Sequence, residues 1–389
     1  MNQTASTVQP TIVVTGSIHY DLILHVPHLP GDNDRLAPTA MTLAPGGMGG
    51  NVAAASARLG GDVRFVGMFT DEEDGSTLRD DLVRDGVDVR WAGTRPAETR
   101  HRGMILVSHD GQRAILGAWP EASAISRAPG QAPGLVHELD WATRPRNAVS
   151  RFGFGSLDIP AAAFAGENVA FQCPFNFYPL VSDRVPLSVP MYMDIETGHI
   201  TGWTDEQIWN GLRRATVIYG NQRNLAELAR RLDEPSVTTL SRTLRGTIIE
   251  TAGELGCQIH ENGVRTVVPG FPVETIDTTG AGDCFAAACT LALRRGASLT
   301  EAARIANAAA ALSTRALGSR PGVPTAAELD AFLATHTQAS ADAPDATLLS
   351  ALPFGLRDLL NDNILAVDLV APATGDEVAT ASELKGPSR

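Results

Sequence analysis

Short runs of consecutive apolar residues alternate along this chain with longer stretches at helical spacing. Thr11-Ile-Val-Val-Thr15, Val63-Arg-Phe-Val-Gly67, Arg151-Phe-Gly-Phe154, Val169-Ala-Phe171, Met191-Tyr-Met-Asp-Ile195, Thr216-Val-Ile-Tyr219 and Ile248-Ile-Glu-Thr251 read as strands. Helical patterns run from Asp71–Gly75 through Val83, over Val52–Leu59, Asp205–Arg213, Cys284–Arg295 and Leu299–Ala316. Such alternation predicts a mainly parallel sheet wrapped by helices. Two stretches break the alternation. Gly103–Ser108 and Arg113–Leu116 read as strands around a turn containing Asp110-Gly111. Cys257–His260 and the run up to Val268 read as a second hairpin, turning at Glu261-Asn-Gly263. The extended run Thr266–Ile276 leads into the stretch Asp277-Thr-Thr-Gly-Ala-Gly-Asp-Cys-Phe285, and a helical run leaves it, closed by Gly296 as C-cap.

That stretch carries the first candidate chemistry. Gly280 and Gly282 sit where a tight loop opens a helix. First-turn amides lack intrahelical partners and the dipole is positive there, so the place suits an anion. Missing Cβ atoms let a phosphate come close to the backbone. A carboxylate beside a phosphate cradle is repelled by it unless it is there to take a proton. Asp283 therefore reads as a base to an attacking hydroxyl, and the combination as phosphoryl transfer. Taken alone, the same four residues are equally a glycine turn followed by a first-turn acid.

Composition narrows the classes. With 389 residues, 43% of them hydrophobic, the chain can build one large α/β domain or two modest ones. A formal charge of −13 argues against nucleic-acid or anionic-membrane partners. The only lysine is Lys385, so neither a Walker-type phosphate loop nor a protein-kinase strand lysine can exist here. Cys173, Cys257, Cys284 and Cys289 lack CxxC spacing and read as inert thiols of a reducing compartment. No stretch approaches 18 uninterrupted apolar residues and the N-terminus shows no signal pattern, so a cytoplasmic protein is expected.

The second glycine cluster is Ala44-Pro-Gly-Gly-Met-Gly-Gly-Asn51, read as a loop before an alanine-rich helix. A dinucleotide-binding GxGxxG reading also touches it, but no ribose-binding acid follows a second βαβ strand. A Rossmann oxidoreductase is the most distant alternative. The two glycine clusters together resemble the N- and C-terminal signatures of the ribokinase-like (PfkB) carbohydrate kinases. The resemblance runs from about residue 11 to about 335.

It implies a three-layer α/β/α sandwich with a small β-sheet lid, the lid strands coming from about 20–45 and 89–118. Residues 1–10 would be a flexible N-terminus, 11–336 the kinase domain, and 337–389 an extension of unknown role. The implied activity is ATP-dependent phosphorylation of a small sugar. Asp283 would be the base, and Gly280, Ala281 and Gly282, with the Thr279 amide, the anion hole. Asp21, Gly46, Gly47, Asn51 and Asp277 would hold the acceptor. Asn221, Thr251, Gly253, Gly256 and Asn307 would border the nucleotide. The family's Asn-x-x-Glu motif, which organises magnesium (Mg2+), resembles Asn221-Gln-Arg-Asn224, with Asn224 replacing the glutamate. A neutral amide cannot supply that charge. Glu227 lies one turn later. The segment around Asp277 and Thr279 would hold a monovalent cation, K+, and the lid a second subunit in a homodimer. Arg100, Arg102 and Arg113 could face an acidic or phosphorylated substrate, but a solvated face is the commoner place for such arginines and is the reading taken. The alternatives are a nucleoside kinase of the same fold and a catalytically silent sensor of a sugar or nucleoside, the latter supported by Asn224. Within 337–389, Leu349–Leu360 is amphipathic and Ile364–Val370 strand-like.

Overall fold

The computed structural model describes residues 9–95, 101–109, 113–120, 159–196, 200 and 203–336. All the architecture below belongs to the unit that ends at Thr335; of the second unit, His336–Arg389, only His336 is described. The readings made for Arg151–Phe154, the Asp110-Gly111 turn, Arg100 and residues 337–389 lie outside the described residues.

The order is β1 (Thr11–Thr15), β2 (His19–Val26), β3 (Ala40–Gly46), α1 (Met48–Arg58), β4 (Asp62–Val66), β5 (Met68–Thr70), α2 (Glu73–Arg84), β6 (Gly93–Arg95), β7 (His101–Ser108) and β8 (Arg113–Pro120). It continues with β9 (Val169–Pro174), β10 (Met191–Asp194), α3 (Asp205–Arg214), β11 (Val217–Asn221), α4 (Gln222–Arg231), α5 (Val237–Leu244) and β12 (Thr247–Thr251). The last elements are β13 (Gly256–Glu261), β14 (Val264–Pro269), α6 (Ala281–Arg294), α7 (Leu299–Ser313) and α8 (Ala326–Thr335). Eight strands form one sheet in the order β14-β13-β12-β11-β10-β9-β1-β4. It is parallel from β4 to β12 and ends in the antiparallel β12-β13-β14 edge.

Both faces of this sheet are covered. Ile12 and Val14 point into one apolar cluster and Val13 into another, each at most 1% exposed. A strand buried on both faces has no polar side to show, hence its unbroken apolar run. The first cluster also takes the alanines of α1, α6 and α7 (Ala53–Ala55, Ala286–Ala288, Ala302, Ala303 and Ala306). Their small side chains bring those helices close to the sheet. The architecture is the three-layer α/β/α sandwich expected.

A second sheet, β3-β2-β7-β8, stands apart from the first. Its strands are His19–Val26, Ala40–Gly46, His101–Ser108 and Arg113–Pro120, while Gly93–Arg95 pairs with Met68–Thr70 as a separate ribbon. Two boundaries differ from the sequence reading. Helix α1 begins inside the glycine cluster, at Met48, because Gly47 turns the chain at φ 85°. A Cβ on Gly49 would sit 2.6 Å from the Gly16 Cα, so helix α1 packs directly on the β1 turn through a bare backbone. The extended run before Asp277 stops at Pro269, where the Gly270 amide turns back to the Leu255 carbonyl (3.2 Å).

Candidate active site

β1, β9, β10, β11 and β12 all end, at their carboxyl edges, on one cavity of about 1640 Å³ roofed by the small sheet. This is where open α/β sheets place ligands. At the end of the cavity nearest the small sheet, Asp21 on β2 lies beside the ring of His19 (Nε2 to Oδ1, 3.1 Å). Its carboxylate lies back between the neighbouring strands: a Cβ on Gly46 would meet Oδ2 at 1.9 Å, and one on Gly103 would meet Oδ1 at 2.2 Å. Gly46 thus makes room for Asp21 and lies behind it, whereas Gly47 and Asn51 line the cavity.

Gly280 opens α6 with φ 77° and no capping side chain. A Cβ on Gly280 would strike Ser319, whereas one on Gly282 would meet nothing within 4 Å. Gly282 therefore faces open cavity. Asp283, one residue on, receives a hydrogen bond from the Asn51 side-chain amide (Nδ2 to Oδ2, 2.7 Å). This hydrogen bond joins the glycine cluster of α1 to that of α6, across 232 residues of chain.

Burial pushes the Asp283 carboxyl up to about 7; the Asn51 hydrogen bond opposes this, Glu196 and Asp21 add to it, and Arg113 offsets part. Asp194, at the end of β10, is raised well above the usual range by burial and by Asp283 and Glu196. Arg113 reaches from the lid strand β8 to the Thr278 carbonyl (2.7 Å), tying roof to floor. Asp194, Glu196 and Arg113 all line the cavity. Sequence reasoning singled out neither Asp194 nor Glu196, and it placed Arg113 on a solvated face rather than in the cavity; for Asp194 the available signal was its place at the carboxyl end of a predicted parallel strand.

At the other end, Asn221, Thr251, Gly253, Gly256, Asn307 and Asn224 line the cavity. Asn221 caps α4, accepting from the Asn224 amide (2.8 Å). Gly256 adopts φ 96° where a Cβ would stand 2.3 Å from the Val268 carbonyl oxygen. The Asn307 side chain donates to the Val268 and Pro269 carbonyls (3.1 and 3.0 Å), which fixes the end of β14 against α7. Asp277 does not line the cavity. Its Oδ1 accepts from the amide and hydroxyl of Thr279 (2.9 and 2.7 Å), and its Oδ2 from the Gly318 amide (2.8 Å). Both oxygens serve to close the loop before α6.

Among the described residues no group of three or more His, Cys, Asp or Glu could hold a metal ion, and no helix is long and apolar enough to cross a membrane. The four cysteines are free and buried, and burial pushes the thiols of Cys257, Cys284 and Cys289 up to about 12. They are inert at neutral pH.

Comparison with known proteins agrees with this geometry. The pfkB family carbohydrate kinase model matches residues 9–143 and 185–326. The chain is 26% identical over 323 residues to ribokinase of Bacillus subtilis (83% of this chain, 99% of that protein). It is 30% identical over 323 residues to fructokinase-1 of Oryza sativa (79% and 94%). The crystal structure of Thermotoga maritima ribokinase superposes with a TM-score of 0.63 at 22% identity, covering 84% of this chain and 100% of that one. The chain belongs to the pfkB family of carbohydrate kinases, phosphotransferases that act on sugar hydroxyls.

Proposed function

We propose that the protein transfers the γ-phosphoryl group of ATP to a hydroxyl of a small sugar, with Asp283 as general base and the amides of 279–282 as the anion hole. The observation that carries the reading is the place of Asp283. It stands on the cavity floor, beside a helix N-terminus that no side chain caps and opposite Asp21 and Asn51. Asp21 and Asn51 orient the acceptor under the roof. The acceptor hydroxyl gives its proton to Asp283 as its oxygen bonds to the γ-phosphorus, and the bond from that phosphorus to the β–γ bridging oxygen breaks, releasing ADP. The negative charge of the transferring group falls against the amides at the start of α6. One such donor is typically worth about 3–4 kcal/mol of barrier. A carboxyl near 7 is poised for this: at neutral pH it is half ionised and can accept a proton without being a weak base.

Magnesium fits as an ion carried on the nucleotide. The carboxylates that crowd the cavity raise one another's proton affinity, which suits a cation in their neighbourhood, yet no described cluster forms a cage for one. Asn221 and Asn224 would hold its water shell, and the ion would supply counter-charge for the phosphates. For potassium the residues fit less well: the Asp277 carboxylate is already engaged on both oxygens, and no step is routed through that ion. The test is ADP release from Mg-ATP across pentoses, hexoses, sugar acids and nucleosides, with Asp283→Asn as control. Turnover on a sugar, lost in the variant, is the expected result. Turnover on nucleosides alone would move the acceptor class, and thermal stabilisation by an acceptor without any turnover would point to a sensor.

A further inference from the structure

The turn after α7 places a buried cation behind the site. Arg320 is 4% exposed, and burial lowers its guanidinium to about 10. Among the described residues no carboxylate pairs with it; Asp85, Asp81 and Asp21 act on it only through space. Its hydrogen bonds go to neutral oxygens: Nε donates to Asn51 Oδ1 (3.1 Å) and Nη2 to the Gly46 carbonyl (3.2 Å), while Nη1 has no acceptor among the described residues. It also stands against the first turn of α1, where the helix dipole is positive, and a Cβ on Gly50 would lie 2.4 Å from Nη2. A buried, unpaired cation at the positive end of a helix costs stability. Something other than stability must account for it.

The account lies in what Arg320 does to Asn51. An amide side chain can be turned either way, and its partners decide which end points where. Asn51 Oδ1 has two neighbours, the Ser319 hydroxyl (3.0 Å) and Arg320 Nε. The Ser319 hydroxyl also lies 2.9 Å from the Pro45 carbonyl, and it has one proton for both. Arg320 has no such choice, because a guanidinium only donates. A reversed Asn51 would set its NH2 against that N–H and turn its carbonyl oxygen toward the Asp283 carboxylate. We propose that Arg320 is a positioning residue for phosphoryl transfer: it locks the Asn51 amide so that Nδ2 holds Asp283 Oδ2, leaving Oδ1 to take the acceptor's proton. Arg58 secures the arrangement from outside, donating to the Arg320 carbonyl (2.6 Å) while pairing with Asp85 (2.7 Å).

The proposal rests on Asp283 being the base. The charged groups facing Asp283 are Asp21 and Arg113 from the lid and Asp194 and Glu196 from the end of β10. These groups stay when Arg320 is replaced, and the guanidinium charge is lost alike in Arg320→Met and Arg320→Gln, so a titration that moves more in Arg320→Met than in Arg320→Gln reports the Asn51 contact. The experiment is the pH profile of kcat for the wild type, Arg320→Met and Arg320→Gln, beside their melting temperatures. In Arg320→Met the acid limb is expected to rise by about one pH unit and kcat below pH 7 to fall about 10–100-fold, with KM for ATP unchanged. The melting temperature should hold or rise. Arg320→Gln keeps a donor toward Asn51 and should stay within about tenfold of wild type. An acid limb that stays in place in both variants overturns the proposal, whatever happens to kcat. If neither variant folds, the side chain is structural and the proposal fails. A readout without turnover separates this from a failure of the kinase reading. The pH dependence of the melting difference between Asp283 and Asp283→Asn forms titrates the carboxyl itself, and its midpoint should rise by the same amount in the Arg320→Met background.

Discussion

Helices α1 and α6 begin alike and do different work. Four other helices, α3, α4, α5 and α7, start on Thr204, Asn221, Ser236 and Ser298, whose side chains accept from an amide of their own first turn. Both α1 and α6 start on a glycine at positive φ, Gly47 and Gly280, with no such cap. At α1 the released space is filled by protein. Gly49 admits the backbone of Gly16, Gly50 admits the Arg320 guanidinium, and the Gly50 amide donates to the Ser17 carbonyl (3.1 Å). At α6, Gly282 has nothing in front of it. Two similar glycine clusters thus differ in outcome: one lets the protein close on itself, and the other leaves open the space where we propose that an anion sits. What α1 sends into the cavity is a side chain, Asn51, and it goes to Asp283 on α6, the proposed base.

Substitutions can break this contrast. Gly49→Ala should be the most damaging, since its Cβ meets backbone that cannot move aside; a loss of about 3 kcal/mol, read by denaturant unfolding, is expected. Gly282→Ala should do the reverse. Alanine favours a helix, so stability should hold or gain up to about 1 kcal/mol, while kcat/KM for ATP falls about 10–100-fold because the methyl group stands where the phosphate approaches. An unchanged kcat/KM would mean that no ligand comes to this helix end. Third in size is the effect of the base on folding. The folded carboxyl of Asp283 keeps its proton up to about pH 7, whereas the unfolded chain has lost it by about pH 5. Folding is therefore weakened as pH rises through that window, and the loss is complete above it. Asp283→Asn should be more stable than wild type by about 1–3 kcal/mol at pH 8 and little different at pH 4, read by melting at both values. The smallest effect is at a capped helix: Ser298→Ala should cost about 1 kcal/mol and leave turnover alone, because its amides serve only α7.

The legibility of the sequence follows the range of the interactions. The strands, the helices and the opening of α6 are local patterns, and Gly280 to Asp283 can be read from spacing and dipole alone. The resemblance of two separate signatures implies roles for Asn51 and Asp283 but not their direct contact, which only the fold reveals. Arg320 carries no local signal: it sits in a turn of ordinary composition, and its meaning arises only when Asn51, 269 residues away, accepts from it. Asp194 falls in a run that reads as strand and Glu196 just beyond it, so their charge becomes informative only once the sheet edge opens on the cavity. Four glycines in five residues read as a loop, yet Gly49 and Gly50 lie inside α1, where the close approach of Gly16 and Arg320 outweighs glycine's low helix preference.

The most direct test is to measure phosphoryl transfer and ATP binding together in wild type and Asp283→Asn at pH 8, using the best acceptor of the panel. Loss of about 10²–10⁴ in kcat, with the Kd for ATP within about threefold, is the predicted result. A variant that keeps kcat within about tenfold of wild type would contradict the assignment of Asp283 as the base.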